Sequence, residues 1–124
     1  MISMSKKGMD LGREGERAVK ELLVNEGYRI LETNYRTRHG EIDIIAAKDS
    51  TLVFIEVKTR ASTNCGIPEE AVNYRKQQRI RKLALEYLTT PGHERFLDLR
   101  FDVASVSAGT GGKIEGIKLI EGAF

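Results

Sequence analysis

Four charged residues, Glu41, Asp43, Glu56 and Lys58, stand inside two runs that otherwise read as buried β-strand, GEIDIIAAKD and VFIEVKTR. A carboxylate where a core strand wants Val or Ile is costly unless it is paired or holds a cation. Along a strand, residues two apart share a face and lie about 6.5–7 Å from each other. Glu56 and Lys58 are therefore expected to project together, with Val57 turned away into packing. Glu41 and Asp43 form a second same-face pair on the preceding strand. If the two strands are neighbours, Asp43 and Glu56 meet on one side of the sheet. Mg²⁺ takes oxygen ligands at about 2.0–2.1 Å and keeps several waters. Two carboxylates, a backbone carbonyl and a substrate phosphate supply that set for Mg²⁺ or Mn²⁺. The Lys58 ammonium would orient an attacking water or stabilise charge on phosphoryl oxygens. The rival is a salt-bridged core, with Glu56 paired to Lys58 and Asp43 to an arginine. Acid clusters occur in structural ion pairs too, so the residues alone leave both readings standing.

Several elements must position these groups. Apolar residues Leu11, Ala18, Val19, Leu22 and Leu23 recur at helical spacing, with Asp10 as an expected N-cap and Gly27 as a stop. Residues 1–9 are expected to be disordered. YRILETNYRTR and GEIDIIAAKD alternate as strands about a turn at His39-Gly40, and TLVFIEVKTR follows as a third. The last of these is almost continuously apolar, which predicts a central strand covered on both faces. A loop with a short turn of helix at Pro68 leads to a helix from about Tyr74 to Leu88. LRFDVASVSA and KIEGIKLIEGAF supply the last strands. The order α, three strands, α, two strands predicts one α/β domain over residues 10–124, a mixed central β-sheet flanked by α-helices.

Arg75, Arg79 and Lys82 fall at i, i+4, i+7 on the second helix, opposite its apolar face, with Lys76 and Gln77 near its start. Together with Arg60 they form a candidate contact for a phosphate backbone. A charged stripe is more often a solvated face, but this one stays positive until Glu86. No element carries a readable base code, so structure-selective or non-specific contact is expected. His39 is a candidate general base or an ordinary turn residue, and His93 carries no signal. Glu41 reads as an outer metal group or as a partner of Arg36 or Arg38. A net charge of +2 does not announce a nucleic-acid binder. One cysteine, Cys65, excludes an internal disulfide. No run is apolar enough for a signal peptide or a membrane span, so a cytoplasmic protein is expected.

The blocks GREGERAVKELL, GEIDIIA, VFIEVKTR, RKQQRIRKLALEYL, LRFDVASV and IKLIEGAF, in that order, resemble the YraN family. The resemblance covers nearly the whole chain from Leu11 to Phe124. That family is similar to the restriction-endonuclease-like superfamily and to archaeal Holliday junction resolvases. Such proteins share a Glu on the first helix, an Asp ending one strand and Glu-x-Lys on the next. The resemblance carries these onto Glu16, Asp43, Glu56 and Lys58. It also implies that Gly12 and Gly15 let the first helix approach a strand or a phosphate closely, aiming Glu16 at the metal. Without it, Glu16 reads as a first-turn carboxylate favoured by the helix dipole. Asp102 matches a family position but has no chemical role to assign. The resemblance thus implies a divalent-metal-dependent endonuclease acting on DNA, including branched or otherwise structured DNA. The alternatives are a catalytically silent nucleic-acid- or partner-binding module on the same fold, or an enzyme acting on another phosphate ester. Whether the chain forms a homodimer is left open.

Overall fold

A computed structural model describes residues 4–61, 72–92 and 95–124. Cys65, Pro68 and His93 lie outside the described residues. The elements are α1 (Met4–Asn25), β1 (Arg29–Thr37), β2 (Gly40–Lys48), β3 (Thr51–Ala61), α2 (Tyr74–Thr89), β4 (Asp98–Ala108) and β5 (Ile114–Ile120). The expected alternation of helices and strands is present. The expected start of α1 is not: the helix begins at Met4, so Asp10 lies within it rather than capping it. Apolar periodicity begins only near Leu11, but the Lys6-Lys7 stretch has adequate helix propensity and extends the helix without it. At the other end Gly27, at φ +92°, closes α1 as the Tyr28 amide donates back to the Leu23 carbonyl at 2.9 Å.

The strands form one sheet in the order β1-β2-β3-β4-β5. Only β3 and β4 run parallel, in register from Thr51↔Asp98 to Ala61↔Ala108. Parallel neighbours need a crossover, and the chain through α2 provides it. Val19 and Leu23 of α1 pack on one face of the sheet with Ile44, Ala46, Val53, Ile55, Ala104 and Val106. Ile80, Leu83, Ala84 and Tyr87 of α2 cover the other, with Ile45, Leu52, Phe54, Phe101 and Val103. β3 is thus buried on both faces, which is why its sequence is almost continuously apolar.

Asp102 resolves as a structural residue. It is fully buried on β4 and accepts from Arg100 Nε and Nη2, each at 2.9 Å, and from the Gly122 amide at 2.9 Å. Arg100 Nη2 also donates to the Tyr28 hydroxyl at 2.6 Å. This bidentate, charge-assisted cluster ties β4 to the connection between α1 and β1 and to the C-terminal segment. Phe124 then stacks on Phe101 at 5.2 Å, beneath the Arg81 guanidinium.

Candidate active site

The β2–β3 ladder runs from Lys48↔Thr51 to Ile44↔Ile55 and stops there. One residue further, at Asp43 and Glu56, the strands part. Ile42 packs with the α2-side core, whereas Ile44 packs with the α1-side core, so strict alternation fails at Asp43. The Val57 amide, left without a partner on β2, donates instead to Asp43 Oδ2 at 2.8 Å. A half-buried amide needs such an acceptor. The opening between the strands therefore sets the Asp43 carboxylate beside Glu56.

Two clefts meet at this point. A cleft of about 760 Å³ lies between α1, β1 and β2 and is lined by Glu16, Asn34, Arg36, Glu41 and Asp43 among others. A smaller one, about 280 Å³, lies toward α2 and is lined by Glu41, Asp43, Glu56, Lys76 and Arg79. Glu41 and Asp43 line both, although the strict alternation expected to set them on one face fails between them. Glu41 also accepts from Arg36 Nη2 at 2.9 Å. Burial, reinforced by the Glu56 carboxylate and more weakly by Glu16 and Glu41, pushes the Asp43 carboxyl up to about 7, against the pull of the Val57 amide.

Glu56 is buried, yet it is paired. Its partner is Lys76 of α2, whose Nζ lies 2.5 Å from Oε1. Lys76 therefore belongs to the acid cluster rather than to the surface stripe expected to meet a phosphate backbone. Burial works against its charge, but the Glu56 contact outweighs that and holds its pKa up. Asn73 caps α2, so Arg75 and Lys76 fall in its first turn with no acid there. Cations are unfavourable beside the positive end of a helix, and a carboxylate from another element offsets them. Lys58 shares the Glu56 face of β3. Burial and the adjoining Lys76 pull its pKa down, with Glu56 and Asp43 acting in the opposite sense.

Glu16 lies beyond the first turn of α1, so the dipole does not account for it. Asn34 donates to it at 2.9 Å, and it faces the large cleft with Asp43. Gly15 is what brings α1 down onto β3: a Cβ there would sit 1.9 Å from Thr59 Oγ1. Gly12 has open space around it, so close approach rests on Gly15 alone.

Arg75, Arg79 and Lys82 are exposed on α2 as expected, and Arg60 is partly buried near the end of β3. Gln77 donates its side-chain amide to the Val72 carbonyl at 3.1 Å, where it closes the start of α2. His39 contacts Glu86 of α2 and lines neither cleft.

No set of three or more Asp, Glu, His or Cys side chains among the described residues is close enough to hold an ion alone. The donor set at the junction is instead two carboxylates of hard oxygen character with open space beside them. That suits an ion which keeps waters and takes substrate phosphate as a ligand. Burial is the main cause of the raised Asp43 pKa, and the Glu56 charge that adds to it is what a divalent cation would neutralise. No helix among the described residues is long and apolar enough to cross a membrane.

Comparison with known proteins adds kinship. A family model described as "Uncharacterised protein family UPF0102" matches residues 15–106. A UPF0102 protein of Alkaliphilus metalliredigens is 51% identical over 104 residues, 84% of this chain and 90% of its own. One from Moorella thermoacetica is 47% identical over 113 residues, 91% and 93% of the two chains. One from Syntrophus aciditrophicus is 46% identical over 126 residues, covering 100% of this chain and 95% of its own. Among solved structures, Pyrococcus furiosus SfsA in complex with Ca²⁺ aligns with TM-score 0.44 and 15% identity. That alignment covers 92% of this chain and 63% of SfsA, under two thirds of its length, and assigns no function. Near-half identity over most of the chain, with a family model spanning both acid-bearing strands and α2, makes the protein a member of UPF0102, the YraN family.

Proposed function

We propose that this protein is a divalent-metal-dependent endonuclease acting on DNA, with Asp43 and Glu56 as the carboxylates that hold Mg²⁺ or Mn²⁺. The observation that carries this reading is the state of Asp43. A salt-bridged core would give it a cation, yet no lysine or arginine among the described residues forms an ion pair with it. It faces Glu56 instead, where the β-ladder opens onto two clefts. A bound ion would polarise the scissile phosphate and make water a better nucleophile. Lys58 would stabilise charge developing on the phosphoryl oxygens or, having a lowered pKa, position the attacking water. Glu16 would assist from the large cleft as outer ligand or base. Arg60, Arg75, Arg79 and Lys82 would hold the phosphate backbone without reading bases.

Metal binding should then depend on pH in a defined direction. Asp43 rises from an ordinary 3.8 to about 7, so the folded metal-free protein holds a proton that the unfolded chain has lost. Stability from this group is present below the lower value and is lost as pH rises through about 7. A cation needs the ionised carboxylate and releases that proton on binding. Calorimetric Mn²⁺ affinity should climb from about pH 6 and level off near pH 8. Asp43→Asn should bind weakly and without that climb. Equal Mn²⁺ affinity in parent and variant at every pH would remove Asp43 from the metal site.

A further inference from the structure

The sequence points to α2 as the helix that meets nucleic acid, but the larger cleft is on the other side of Asp43. One wall of that 760 Å³ cleft is α1, which contributes Arg13, Arg17 and Lys20. These three fall at i, i+4, i+7, one stripe along the helix. None of them forms an ion pair among the described residues. Arg36 is paired with Glu41, and Asn34, a neutral amide, holds Glu16 without cancelling its charge. Three cations against the one Glu16 carboxylate leave the α1 wall net positive, while Asp43 lies at the place where the two clefts meet.

We infer that this α1 cleft is a binding site for one phosphodiester strand of DNA, held by Arg13, Arg17 and Lys20 as the strand approaches Asp43. The inference rests on the endonuclease reading for its direction, because a strand in this cleft arrives at the proposed metal ligands. Dimensions agree. Seven residues of helix rise about 10.5 Å, and one DNA strand carries a phosphate per about 3.4 Å of axis. The stripe thus spans about three phosphate-to-phosphate steps. By contrast, the small cleft has its most buried cation, Lys76, already committed to Glu56. Contacts from α1 are sequence-independent, since they are made to phosphates rather than base edges.

The test is anisotropy of a labelled DNA duplex in EDTA, so that the readout does not depend on cleavage. The triple variant Arg13→Gln/Arg17→Gln/Lys20→Gln should bind at least about tenfold more weakly near 0.1 M salt. Its slope of log K against log salt should be shallower by roughly 2–3. A triple Arg13→Lys/Arg17→Lys/Lys20→Arg variant keeps the charge and should stay near the parent. Were the glutamine triple to melt early, the exposed single Arg17→Gln carries the test, with a slope change of about 1. Parent-like affinity and slope in the folded glutamine variant overturn the inference. A parent that binds through α1 but cuts nothing with Mn²⁺ supports the cleft and refutes the endonuclease. A parent that cuts, beside a triple variant that binds and cuts equally well, refutes the cleft alone.

Discussion

Lys58→Met is expected to lower metal-dependent DNA cleavage by about 10²–10³-fold, the loss typical of removing one preorganised donor from a developing oxyanion. Affinity for DNA should change little, because an interaction made chiefly in the transition state affects the rate rather than ground-state binding. Thermal stability should also hold. The salt-bridged reading required Lys58 to balance Glu56, but Glu56 is paired with Lys76, so its partner remains when Lys58 is truncated. Removing the Lys58 ammonium also removes a like charge beside Lys76. Melting and single-turnover cleavage on the same variant separate the alternatives. A variant that melts much earlier than the parent yet cuts at the parental rate would make Lys58 structural. A silent binding module predicts that neither protein cuts.

Lys76→Met should have the opposite profile. The Glu56 side chain is 7% exposed and loses its only ion pair among the described residues. Stranding a buried carboxylate costs about 3 kcal/mol, the lower end for a broken buried pair because Lys76 itself is partly exposed. For a domain of this size that is a fall in Tm of roughly 10 °C. Adding Glu56→Gln should recover most of it, since deleting both charges leaves nothing unpaired. Mn²⁺ should raise the Tm of Lys76→Met more than that of the parent, because a cation that binds only the folded state stabilises it. It would also no longer compete with the Lys76 ammonium at Glu56. An unchanged Tm with a parental response to Mn²⁺ would make Lys76 an ordinary surface charge.

The strands were legible because their chemistry is local. Alternation marks β1, a continuous apolar run marks β3 as central, and Gly27 punctuates the end of α1. The four candidate residues Glu41, Asp43, Glu56 and Lys58 stood out for the opposite reason, since charge inside an apolar strand is conspicuous. The partners of those residues were not. Lys76 reads as one more cation on a basic helix, and only the crossover from β3 to β4 brings α2 over Glu56. The parting of β2 from β3 at Asp43 is a backbone event with no residue type to announce it. Asp102 had no role that the sequence could assign and is a buried anchor: it accepts from Arg100 two residues away and from the Gly122 amide twenty residues on, and Arg100 in turn donates to Tyr28. The α1 stripe shares the spacing of the α2 stripe. Sequence could not rank the two, because the acids between Arg13 and Lys20 blur its sign.

The central claim is that Asp43 and Glu56 support cutting of DNA by a divalent metal. It is tested most directly by incubating the parent protein and Asp43→Asn with linear, nicked and branched DNA, in Mn²⁺, in Mg²⁺ and in EDTA. The account predicts cleavage of at least one substrate by the parent with a divalent ion, none in EDTA, and none by Asp43→Asn under any condition. Intact DNA in every lane despite measurable binding, or equal cleavage by Asp43→Asn, would contradict it.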